Sequence, residues 1–105
     1  MMNATEALLS ITRPVPQETR GRTAHVVAII RLSESRRSWF VTAVQRRGYA
    51  IEVVGYAPGC MHSAGSWFTL APDFFEVAAA ASGDRVEVEL LRTPVPLEML
   101  EDESL

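Results

Sequence analysis

Residues Ser33 to Tyr56 read SESRRSWFVTAVQRRGYAIEVVGY, and whether their first half is helix or strand decides the fold. The ends of that half favour a helix. Ser33 is a good N-cap and Glu34 a good first-turn acid. Arg46 and Arg47 suit a last turn, and Gly48 suits the left-handed position that follows it. Trp39, Phe40, Ala43 and Val44 then fall on one face at helical spacing. The competing reading is a hairpin, with Ser38–Gln45 pairing against Tyr49–Tyr56 across Arg46-Arg47-Gly48. Val41, Thr42 and Val44 argue for it, because β-branched side chains are stiff at χ1 in a helix. Agreement of the caps at both ends selects the helix.

On either side the reading is simpler. Ala24–Leu32, AHVVAIIRL, is an almost unbroken apolar run rich in β-branched residues, the pattern of a strand buried on both faces. Tyr49–Ala57 is a second strand, ended by Pro58 and Gly59, and Trp67–Leu70 a short third. Pro72 and Asp73 open a helix whose buried stripe is Phe74, Phe75, Val77, Ala78 and Ala81, and Ser82-Gly83-Asp84 stops it. Arg85–Arg92, RVEVELLR, alternates with Val86, Val88 and Leu90 inward and Glu87 and Glu89 outward. Leu97–Leu100 adds a helical turn.

The expected order is βαββαβ. It implies an α+β open-faced sandwich: a four-stranded antiparallel sheet with two helices on one face and the other face open. A mostly-β meander or small barrel is the alternative if the hairpin forms. Residues 1–22 read as a flexible or extended lead-in, in which Ala7–Ile11 fits a short strand or a helical turn. Residues 23–100 form a single domain and 101–105 an acidic tail. The paired segments Arg13-Pro14-Val15-Pro16 and Thr93-Pro94-Val95-Pro96 read as extended caps where the chain leaves the sheet.

Bulk properties agree with one small domain. The chain has 105 residues, 48% hydrophobic and 22% charged. No apolar run approaches the ~20 residues of a spanning helix, so no membrane is expected. MMNATEALLS lacks a basic region leading into a long apolar stretch, and no secretory signal is expected there. The single cysteine, Cys60, precludes an internal disulfide. A bacterial, cytoplasmic setting is the expectation.

Net charge is −3, but its distribution is uneven. All basic residues are Arg. Eight of them stand against two acids between Arg13 and Arg47, and two stand against ten acids from Gly48 onward. Interleaved strands would neutralise this imbalance on one surface; unneutralised, it marks a polyanion-binding face. Arg36, Arg37, Arg46 and Arg47, with Trp39 and Tyr49 beside them, are the candidate partner-binding residues. Arg offers a planar fork for carboxylate or phosphate, and the aromatics offer surfaces on which a base can stack.

Chemistry-bearing patterns are few. Cys60-Met61-His62 is the only place where a thiol meets a base, and no third group is apparent beside it. One Cys and two His fall short of a zinc set. Gly55-Tyr56-Ala57-Pro58-Gly59 has neither the spacing nor the composition of a phosphate loop. No catalytic residue, metal or cofactor is expected.

Trp39-Phe40-Val41 through Ile51-Glu52-Val53-Val54, and Leu70 through Val88, resemble in pattern the first helix and second strand, then the second helix, turn and last strand, of the phosphocarrier HPr family. The resemblance spans roughly residues 24–100 and implies the βαββαβ fold. That family's phosphoryl-accepting His precedes an Arg at the start of the first helix; here Leu32-Ser33-Glu34-Ser35-Arg36-Arg37 holds no His, so phosphocarrier activity is not implied. A ferredoxin-like module shares the same element order. The functional expectation is a small non-enzymatic protein-binding module, acting as regulator, inhibitor or assembly subunit, with a homodimer among its possible states. The alternative is a nucleic-acid or nucleoprotein binder, such as a phage or mobile-element inhibitor, using the Arg-rich helix.

Overall fold

A computed structural model describes residues 4–11, 24–34, 37–58 and 65–103. In chain order the elements are α1 (Ala4–Leu9), β1 (His25–Leu32), β2 (Ser38–Arg47), β3 (Ala50–Ala57), β4 (Ser66–Leu70), α2 (Phe74–Ser82), β5 (Val86–Pro96) and α3 (Leu97–Glu103). The strands form one five-stranded sheet in the order β4-β3-β2-β1-β5, antiparallel at every pairing.

The βαββαβ sandwich with a four-stranded sheet is therefore not the fold. The segment expected to be its first helix is the central strand, and the HPr-like and ferredoxin-like element orders fail at that point. The end signals that favoured a helix have other uses. Ser33 and Glu34 lie in the β1–β2 turn, where the Ser33 hydroxyl and the Glu34 N–H donate to Asp84 Oδ1 at 3.1 and 2.7 Å. Gly48 is left-handed, with φ 65°, but as the first residue of a two-residue hairpin turn closed by Arg47 opposite Ala50. A Gly at positive φ serves a helix end and a primed turn equally well. Burial on both faces decides between them. Trp39 and Val41 pack on one side of the sheet and Phe40 on the other, which uses every side chain of an aromatic and β-branched run.

The helices lie on opposite faces. On the first, Leu8 of α1 and Phe75 and Ala79 of α2 cover Ile30, Trp39 and Val53. Phe75 is fully buried and meets Trp39, Phe74 and Phe68 edge-on, with ring centroids 5.2, 5.5 and 6.2 Å away. On the second face, Leu97 of α3 packs with Val26, Ile29 and Phe40, and Leu100, Tyr56 and Trp67 border them. The sheet thus carries helix on both sides, contrary to the expected open face. Thr93–Pro96 does not leave the sheet: Val95 pairs with Val26 and Pro96 with His25.

Two register shifts bend the sheet. Between Val41 and Ala43, Thr42 is the extra residue opposite β3, and its hydroxyl donates to the Val54 carbonyl at 3.2 Å. The other falls between Val26 and Ala28, which lie opposite Val95 and Leu90.

Candidate interaction surface

The register isolates the end of the β2–β3 hairpin. β1 pairs with β2 only over residues 38–41, and β4 pairs with β3 only over residues 53–57. Among the described residues, 45–52 therefore have no lateral strand and continue as a two-stranded ribbon, with Ile51 still packed against the core. Gln45 lies opposite Glu52, its amide donating to Glu52 Oε2 at 3.2 Å, and Arg46 lies opposite Ile51. Beyond them the turn Gly48-Tyr49 closes the ribbon. Tyr49 is fully exposed, at 110% relative accessibility, and Arg46 is exposed beside it. Arg47 holds the last position of β2.

The five expected partner-binding residues that are described, Arg37, Trp39, Arg46, Arg47 and Tyr49, do not form one patch. Arg46, Arg47 and Tyr49 share the hairpin tip. Arg37 precedes β2 at its other end, nine residues from Arg46. At about 3.3 Å per residue that separates them by roughly 30 Å, where a helix would have kept them within about 14 Å. The Arg37 guanidinium lies 5.1 Å from the Trp39 ring centroid. Trp39 is only 4% exposed and belongs to the core, so it offers no face to a base. Arg36 lies outside the described residues, as do Cys60 and His62.

Among the described residues, no group of three or more His, Cys, Asp or Glu is placed to hold a metal ion. No helix there is long and apolar enough to cross a membrane. In comparisons with protein-family models, curated proteins and solved structures, nothing matches the chain.

Two features escaped the sequence reading. Asp84 links the β1–β2 turn to the start of β5 through a single carboxylate oxygen, which also accepts the Arg85 N–H at 2.8 Å. Its position after Ser82-Gly83 marked a turn and held no sign of this contact. The second is the place of β5 at the sheet edge, which depends on strand order.

Proposed function

We propose that this chain is a non-enzymatic protein-binding module, a cytoplasmic regulator, inhibitor or assembly subunit, and that the β2–β3 hairpin tip is its contact element. The observation that carries the reading is Tyr49. Hairpin turns take Gly, Asn or Asp for backbone reasons, whereas a fully exposed Tyr contributes nothing to the core. Tyr and Arg are the side chains that dominate binding energy at protein interfaces, because they bury large amphipathic surfaces at small entropic cost. The end of the ribbon presents the exposed Tyr49 and Arg46 to a partner beyond the last lateral pairing of the sheet.

The same ribbon supports a second reading. A two-stranded β-ribbon fits the DNA major groove, and Arg with Tyr suits phosphate contact and base stacking. An inhibitor of a nucleoprotein machine, of phage or mobile-element type, belongs to this reading. The overall acidity of the chain, with a pI near 5.3, weighs toward protein.

Affinity capture from native lysate with the wild type, Tyr49→Ala and Arg46→Glu tests both. The protein-binding reading expects a protein that the wild type retains and both variants lose, while their thermal unfolding stays unchanged. Retention of the same protein by both variants would remove the tip from the account. Capture of nucleic acid with a steep salt dependence would favour the second reading.

A further inference from the structure

Among the described residues β5 is an edge strand, with β1 on one side and no strand on the other. The Ser33 N–H donates to the Arg85 carbonyl at 3.1 Å, which marks Ser33–Arg85 as a hydrogen-bonded pair of the ladder. Such pairs alternate along antiparallel strands. Glu87 and Glu89, opposite Arg31 and Ile29, therefore direct their backbone groups to β1. Val86, Val88 and Leu90 turn theirs outward, leaving consecutive N–H and C=O groups along the edge.

The side chains there sort by face. Val86, Val88 and Leu90 border a groove of about 530 Å³ whose other wall holds Ala4 and Ala7 of α1 and Ala79 and Ala80 of α2, with Glu76, Asp84 and Arg85 also lining it. Leu90 is 42% exposed to it. On the opposite face Glu87 and Glu89 are exposed. Glu89 pairs with Arg31 at 2.9 Å, and Glu87 has no ion-pair partner among the described residues. Beyond Leu90 the edge closes, because the register shifts and Pro94 and Pro96 lack a donor.

We infer that β5 accepts an extended segment of a partner protein as a sixth strand, and that this segment alternates apolar and basic side chains. The added strand takes the outward N–H and C=O groups of Val86, Val88 and Leu90. Its apolar side chains enter the groove, and its basic ones face Glu87 and Glu89. Strand addition of this kind draws affinity from the backbone and specificity from alternate side chains. Charge disfavours a second copy in the registers centred on Val88 or Glu89. Antiparallel self-pairing centred on Val88 sets Glu87 opposite Glu89 twice, and centring on Glu89 sets that residue against itself, where like charges destabilise. This surface is separate from the hairpin tip, and the inference stands whether or not the tip binds.

The probe is a fluorescein-labelled ten-residue peptide alternating Val and Arg, with a scrambled peptide of equal composition as control, titrated against the full chain by anisotropy. The alternating peptide is expected to bind, slow exchange of the Val86, Val88 and Leu90 amides, and bind about tenfold more weakly to Val88→Pro, which removes one outward donor. Glu87→Lys, which leaves the backbone intact, is expected to weaken it comparably. Equal affinity for the scrambled peptide, or unchanged exchange at those amides, would overturn the inference. So would a dimer in sedimentation that Val88→Pro abolishes, since it would assign the edge to a second copy.

Discussion

Replacing Thr42 by Ala separates the hairpin from the helix by sign. Thr42 is 3% exposed at the bulge in β2, and its hydroxyl donates to the Val54 carbonyl across the hairpin at 3.2 Å. Losing that bond costs about 1 kcal/mol. Losing the buried methyl costs about 0.8 kcal/mol more. The variant is therefore expected to be about 2 kcal/mol less stable. Were residues 34–47 a helix, the same change would raise stability by up to about 0.7 kcal/mol through intrinsic propensity. Urea unfolding followed by tryptophan fluorescence reads the difference, since the buried Trp39 becomes exposed. With a slope of roughly 1–3 kcal/mol per molar urea, the midpoint falls by about 1 M. Thr42→Val keeps a methyl and β-branching, and is expected to lose only about half as much. An unchanged or higher midpoint for Thr42→Ala would refute the strand assignment and the bulge geometry together.

Three further substitutions probe what holds the sheet and its turns. Phe75→Ala empties the site between Trp39, Phe68 and Phe74 and is expected to cost about 3–5 kcal/mol, a large part of the stability of a small domain, read as a lowered Tm and weakened near-UV circular dichroism. Gly55→Ala would drive a methyl into the Phe40 carbonyl and to within 2.8 Å of Phe68 Cζ, so a loss of about 1–3 kcal/mol is expected in the same melt. Asp84→Ala removes the acceptor shared by Ser33, Glu34 and Arg85 and is expected to cost about 1–2 kcal/mol, with faster amide exchange at Glu34 as its local signature.

Most of the elements were legible in the sequence, because their periodicity and their punctuation agree. The apolar run of β1, the strict alternation at the start of β5, and the Pro-Asp start and Gly stop of α2 each carry two signals for one answer. Ser33–Arg47 carries conflicting ones: Ser33, Arg46-Arg47 and Gly48 fit helix ends, while Val41, Thr42 and Val44 fit a strand. The interior outweighed the ends, because burial on both faces of a central strand is worth more than capping bonds that a turn can also make. α1 is only six residues long and holds through the docking of Leu8, a tertiary effect that local pattern does not carry. The prolines of β5 misled for a related reason, since an edge strand tolerates them where a central strand would not.

The spacing of the candidate residues turns on the same point. Arg37, Arg46 and Arg47 would share one patch on a helix but stand at two ends of a strand. Trp39 read as a recognition aromatic and is the core partner of Phe75. Tyr49 and the neighbouring Arg pair remained together because a two-residue turn keeps them so.

The most direct test is a distance along β2. Spin labels at Ser38→Cys and Arg47→Cys, in a Cys60→Ser background, report it by pulsed electron–electron resonance. The hairpin predicts a backbone separation of roughly 30 Å, with Arg46, Arg47 and Tyr49 held at the far tip. A distance near 14 Å, the length of a helix over the same residues, would contradict the fold and with it the proposed contact surface.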